Sequence, residues 1–69
     1  MKNKKEIIED YIMGAEETLL KIGVRLEYLQ NKYAKENKNQ YMQDMAQMTA
    51  DKKETEEWLA FLKDRRGKE

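Results

Sequence analysis

No cysteine, histidine or proline occurs in this 69-residue sequence. The first two absences exclude disulfide bonds and the commonest zinc ligands, which are the usual means of stabilising so short a chain. The absence of proline removes the strongest helix breaker. Because a hydrophobic core of this size rarely supplies more than about 3–5 kcal/mol, we expect the chain to bury further surface by associating with itself, as a dimer or a higher oligomer.

Long apolar runs and an excess of one charge are missing as well. Acidic residues follow the basic start of the chain at once, so no signal peptide is predicted, and no segment offers the roughly 20 apolar residues that cross a bilayer. Fourteen basic residues balance fourteen acidic ones, which disfavours a general affinity for nucleic acid. We therefore expect a soluble, cytoplasmic protein with no membrane partner.

The clearest pattern present is a row of apolar residues at alternating steps of four and three. This heptad spacing is typical of a long helix that packs against another helix, and the abundance of helix-forming residues predicts an all-α fold. The first helix is predicted over about residues 5–36, and Gly23 at the edge of the row suggests close approach of a neighbouring helix. The row comprises Ile8, Ile12, Ala15, Leu19, Ile22, Leu26, Leu29 and Tyr33.

The polar segment 35–40 is the one clear break in the apolar pattern. Asn37 and Asn39 suit a left-handed C-cap or an N-cap, and Asn37 with Gln40 also fits a capping box. We predict a turn at about 37–39 and a second helix over about 40–66, so that residues 1–69 form one antiparallel helical hairpin. The apolar row of the second helix would comprise Tyr41, Met45, Met48, Lys52, Thr55, Leu59 and Leu62, with Leu59 facing Ala15.

Two alternatives to the hairpin remain open. The charged block 51–57 interrupts the second row, and Thr49 or Asp51 could cap a new helix, giving three helices with a break near 49–51. If instead Asn37 and Asn39 were ordinary helical residues, the chain would be one continuous rod.

Two hairpins would most simply form a homodimeric four-helix bundle. That layout resembles the Rop-type dimers, in which exposed helix faces bind RNA. The resemblance is one of architecture alone, because no motif is shared. No functional residue is therefore carried over.

A second apolar row lies on the far side of the first helix, about 160° from the heptad row. A hairpin leaves these side chains in water, so we predict that they bind a partner, although the same row could instead close a homodimer. Trp58 and Phe61 are predicted to lie on different sides of the second helix, with Trp58 packed near Ala15. The predicted partner surface consists of Met13, Leu20, Val24, Tyr28 and Phe61.

No pattern in the sequence predicts catalysis or a cofactor. Neither a nucleophile beside a base nor a glycine-rich phosphate loop is present, and the carboxylates lack the histidines that accompany them in helical metal sites. Met42, Met45 and Met48 have a spacing that could ligate Cu(I), but methionines near a turn more often fill a core. We expect a protein that is not an enzyme and holds no cofactor.

Basic residues near the two termini would meet at one end of an antiparallel hairpin. Such an end could bind nucleic acid, although cations also favour the C-terminus of a helix. The leading prediction is a small protein-protein interaction module, either an adaptor, an inhibitor or a regulatory accessory factor, whose composition suits a bacterial, phage or mobile-element gene. Nucleic-acid binding is the alternative, through Lys4, Lys5, Lys63, Arg65 and Arg66.

Overall fold

A computed structural model describes residues 1–68 of the chain, and two α-helices account for most of them. Helix α1 spans Lys4–Glu36 and helix α2 spans Asn39–Lys68. Tyr11 contacts Trp58 at one end and Lys32 lies over the Tyr41 ring at the other, so the helices are antiparallel. The all-α helical hairpin is confirmed, and α2 passes through residues 49–51 without a break. Within residues 1–68, neither helix has a stretch apolar enough to cross a membrane.

The N-terminus of α1 is fixed by a capping box. The Asn3 side-chain oxygen accepts a hydrogen bond from the Glu6 backbone N–H at 2.9 Å, and the Glu6 carboxylate accepts one from the Asn3 backbone N–H at 3.5 Å. These two bonds satisfy donors that have no partner inside the helix. They explain why α1 begins at Lys4 despite the lysines in its first turn, where the helix dipole favours acids.

Asn37 ends α1 as a C-cap in the left-handed conformation, which is one of the two roles predicted for it from the sequence; the other was an N-cap. Its φ of 53° and ψ of 39° reverse the chain, and its backbone N–H donates to the Tyr33 carbonyl at 2.8 Å. The capping box with Gln40 does not form, because Asn37 closes α1 instead of opening α2. Gln40 donates to the Asp44 carboxylate at 2.9 Å.

A cluster around the Glu36 carboxylate holds the turn together. Lys32 Nζ lies 2.5 Å from Glu36 Oε2, and the Tyr41 hydroxyl donates to the same oxygen at 3.3 Å. Lys38 Nζ lies 3.5 Å from the other oxygen. The hydrogen bond between the Lys32 ammonium and the Glu36 carboxylate lowers the pKa of Glu36 and raises the pKa of Lys32. The cluster joins the end of α1 to the start of α2.

The heptad row of α1 forms the core, as its spacing predicts. Leu19, Leu26 and Tyr33 are half-buried and the other five members are buried. Leu59 of α2 packs against the cluster that contains Ala15, in agreement with the predicted register. The buried hydrophobic residues of the hairpin are Ile8, Ile12, Ala15, Ile22, Leu29 and Leu62.

The predicted row of α2 is wrong at its centre. Lys52 is exposed, and Asp51 is half-buried instead. Met48 and Thr55 lie seven residues apart, and in a helix of 3.6 residues per turn either position 51 or position 52 can continue the row between them. The amide of Gln47 donates to the Asp51 carboxylate at 3.0 Å, and the Lys52 side chain stays in water.

The close approach expected at Gly23 is also absent. A Cβ atom added to Gly23 would have no neighbour within 4 Å. Gly23 is half-buried, so it borders the helix interface without touching the other backbone. Its small size is not required by the packing of this hairpin.

Candidate protein-interaction surfaces

The hairpin exposes two groups of large apolar side chains. We call Met13, Leu20, Val24 and Tyr28 the outer row, and Tyr11, Trp58 and Phe61 the aromatic cluster. Scattered surface hydrophobes are normal in a soluble protein, whereas contiguous ones mark interaction sites. These groups are therefore the candidate functional surfaces.

The outer row lies on the side of α1 that faces away from α2. Its four side chains are between 49% and 73% exposed, in the positions that the second apolar row predicts. Leu20, Val24 and Tyr28 line a shallow depression whose edges are formed by charged side chains. The Arg25 guanidinium lies over the Tyr28 ring, 5.1 Å from its centroid, and Lys21 Nζ lies 3.4 Å from Glu17 Oε1.

The aromatic cluster joins the two helices near the chain termini. Tyr11 of α1 meets Trp58 of α2 edge to face, with ring centroids 5.7 Å apart and an interplanar angle of 67°. Trp58 stacks on Phe61 at 5.9 Å with an interplanar angle of 12°. The Arg65 guanidinium lies 5.7 Å from the Phe61 centroid. The three rings and the cation form one continuous group.

The predicted separation of Trp58 and Phe61 is wrong. Residues three apart on a helix are neighbours on its surface, and here the two rings stack. Trp58 is 42% exposed and Phe61 is 53% exposed, so both belong to the surface. Phe61 keeps its place among the partner-binding candidates, and Trp58 joins it there.

A groove runs between α1 and α2 beside the aromatic cluster. Tyr11 and Ile7 contribute from α1, although neither was a predicted site residue. Their spacing of four places them on one side of α1, but only the register of the two helices brings them opposite Trp58. The groove is lined by Lys4, Ile7, Ile8, Tyr11, Trp58, Phe61, Leu62 and Arg65.

Basic residues gather at the same end of the hairpin, as the antiparallel fold requires. Several of them pair with acids. Lys63 Nζ lies 3.8 Å from Glu16 Oε2, and Arg66 Nη1 lies 3.5 Å from Glu9 Oε1, both between the helices. Arg65 lies over Phe61, Lys4 lines the groove, and Lys5 is exposed. Lys63 and Arg66 are thus paired with carboxylates of the other helix, whereas Arg65 lies beside the aromatic cluster.

The other chemical candidates are dispersed. In residues 1–68, no three His, Cys, Asp or Glu side chains are grouped so that they could hold a metal ion. Met42 is exposed while Met45 and Met48 are half-buried in the helix interface. The three thioethers are therefore divided between the surface and the core.

Comparisons with known proteins add no assignment. No family model matches the chain, and no match was found among curated proteins or solved structures.

Proposed function

We propose that this protein is a small, non-enzymatic protein-protein interaction module, such as an adaptor, an inhibitor or a regulatory accessory factor. Its partner contact is the aromatic cluster. The observation that carries this proposal is the exposed stack of Trp58 on Phe61, with Tyr11 and Arg65 beside it. Tryptophan, tyrosine and arginine are the residue types that most often dominate the binding energy of protein interfaces.

The rings of the cluster already contact one another in the free chain. Tyr11 and Trp58 come from different helices and restrain each other, and Phe61 is held between Trp58 and the Arg65 guanidinium. A partner would therefore not have to immobilise these side chains. Association normally costs about 0.5–1.5 kcal/mol for each flexible side chain that becomes fixed, so a preformed cluster binds more tightly than mobile rings would.

The groove beside the cluster defines the chemistry of the partner. Its lining is mostly apolar and includes Ile7, Ile8 and Leu62 as well as the three rings, and Lys4 and Arg65 are its cationic members. An apolar side chain would fill such a groove, and a nearby carboxylate would complement its cations. We infer that the partner presents an apolar anchor flanked by acidic residues.

Ion pairing at the basic end favours a protein partner over nucleic acid. A polyanion would have to compete with Glu16 for Lys63 and with Glu9 for Arg66. The chain as a whole carries no net charge. Because affinity for nucleic acid depends mainly on neutralising phosphates, these features make the alternative function the weaker one.

Affinity capture from the cells that encode the protein tests this function. The baits are the wild-type chain, a Tyr11→Ser/Phe61→Ser variant, and a Met42→Ser control. Met42 is similarly exposed, at 51%, but lies at the opposite end of the hairpin. We expect a protein retained by the wild type and the control, after nuclease treatment, and lost with the cluster variant. Identical retention by all three baits, or retention abolished by nuclease, would refute the proposal.

A further inference from the structure

The outer face of α1 carries opposite charges in its two halves. Three charged residues at the edges of this face interact with α2 or with the turn and are left out: Glu9 pairs with Arg66, Glu16 pairs with Lys63, and Lys32 lies over the Tyr41 ring. Among the other charged residues within about 110° of the centre of the outer row, the half of α1 nearer the N-terminus contributes three acids and one cation, and the other half contributes three cations and one acid. The first half contributes Glu6, Asp10 and Glu17 with Lys5, and the second half contributes Lys21, Arg25 and Lys35 with Glu27.

The hairpin also exposes more surface than its mass requires. Its accessible area is 5466 Å², against about 4,600 Å² for a compact monomer of 8.3 kDa. The excess of roughly 900 Å² is close to the 800 Å² that each partner buries in a standard interface. One further contact of ordinary size would bring the exposed area to the value of a compact protein.

We propose that a second copy of the chain covers the outer row, with the two α1 helices antiparallel about a two-fold axis that passes beside Leu20. The two ends of the row lie equally far from this point, so Met13 packs on Tyr28 of the partner subunit, and the reverse pair forms at the other end. Glu17 meets Arg25 of the partner subunit, again twice. A parallel arrangement would instead set Glu17, which lies near the centre of the face, against Glu17 of the partner subunit.

The ion pairs within one chain do not prevent this contact. Glu17 pairs with Lys21, and the two side chains are 68% and 74% exposed and thus weakly held. Arg25 lies over the Tyr28 ring, at the edge of the outer row. Both Glu17 and Arg25 can turn towards a second copy without exposing a buried charge.

The resulting dimer differs from the predicted four-helix bundle. Because the outer row faces away from α2, the four helices lie side by side in the order α2, α1, α1, α2. The aromatic cluster lies on a different side of the hairpin and stays open in this dimer. Self-association through the outer row is therefore independent of the proposed partner contact.

Mixing two charge-reversal variants tests the antiparallel pairing. Glu17→Arg alone sets two guanidinium groups against each other at both contacts, and Arg25→Glu alone sets two carboxylates against each other there. We expect each variant to dimerise at least about tenfold more weakly than the wild type in sedimentation equilibrium. Their mixture restores both opposite-charge pairs in a heterodimer, with an affinity close to that of the wild type. A Lys53→Glu control, exposed on α2, should leave dimerisation unchanged.

Disulfide trapping tests the orientation directly, since the chain has no cysteine of its own. Oxidation of mixed Met13→Cys and Tyr28→Cys chains should give the mixed disulfide. Met13→Cys alone should not link, because the two copies of residue 13 would be roughly 22 Å apart, beyond disulfide reach. A wild type that stays monomeric at high micromolar concentration, a mixture no tighter than its components, or self-linked Met13→Cys would each overturn the proposal. None of these results would affect partner capture by the aromatic cluster.

Discussion

The indole of Trp58 stacks on the ring of Phe61 with the two centroids 5.9 Å apart and the planes 12° from parallel. Tyr11 of the other helix meets the same indole, so the stack is also a contact between helices. An aromatic pair contributes about 0.5–1.5 kcal/mol beyond the area it buries. The cluster thus joins the two helices at the open end of the hairpin while leaving all three rings about half-exposed.

Removing one ring should expose the other. We predict that Phe61→Ala makes Trp58 more accessible to iodide and moves its emission to longer wavelengths, because Phe61 covers part of the indole. Helix content by circular dichroism should be unchanged, since Phe61 is not in the core. Trp58 is the only tryptophan, so its fluorescence reports this site alone. Unchanged quenching in Phe61→Ala, relative to a Met42→Ala control, would show that the rings do not stack in solution.

Two substitutions of Asn37 test its left-handed conformation at the turn. We predict that Asn37→Ala lowers the free energy of unfolding by about 1 kcal/mol, because an alanine Cβ is disfavoured at a positive φ. Asn37→Gly should be neutral or slightly stabilising, since glycine is the preferred residue at this position of a helix end. Urea denaturation of both variants at one protein concentration measures the difference. Equal stability of the two variants would contradict the observed φ of 53°.

Asn3 in the capping box and Asn31 inside α1 provide a matched pair of asparagine substitutions. Asn3→Ala should cost about 1 kcal/mol, because the Glu6 backbone N–H loses its acceptor. Asn31→Ala, at an exposed position inside α1, should be neutral or stabilising because alanine is the better helix former. Thermal unfolding of both variants separates the effects. A loss of stability in Asn31→Ala as large as that in Asn3→Ala would rule out a specific cap.

The cluster at the turn makes stability depend on pH. The pKa of Glu36 is lowered by Lys32, so its contribution is present at neutral pH and is lost as the pH falls through that lowered pKa. We predict that Glu36→Gln melts at a lower temperature than the wild type at pH 7. The difference should shrink as the pH falls through the lowered pKa of Glu36 and disappear at a pH low enough to protonate Glu36 in both the folded and the unfolded chain. A difference that persists at that pH would mean that the ion pair is not its cause.

The fold was predictable where the sequence repeats and less so where it does not. Ile8 to Tyr33 keep strict heptad spacing, and all eight members of the row are buried or half-buried as expected. Between Met48 and Thr55 the pattern lacks an apolar residue, so spacing alone could not choose between Asp51 and Lys52. In the structure Asp51 is half-buried and Lys52 is exposed.

Prediction of the candidate site from the sequence was limited by the register of the two helices, which the sequence does not specify. The outer row follows from α1 alone and was predicted, with its four side chains exposed as expected. The aromatic cluster needs Tyr11 from α1 and two residues from α2, and nothing in either segment specifies the partner across the interface. The stack of Trp58 on Phe61, in contrast, could have been predicted, because residues three apart are neighbours on a helix surface.

The most direct test of the proposed function places a photo-crosslinking phenylalanine analogue at Phe61 in the native cells, with the same analogue at Met42 as the control. Illumination should join the chain at position 61 to one discrete protein other than itself, giving an adduct whose mass differs from that of two 8.3 kDa chains, and position 42 should give no such adduct. Equal adducts from both positions, or adducts at position 61 that contain only this chain, would contradict a partner contact at the aromatic cluster.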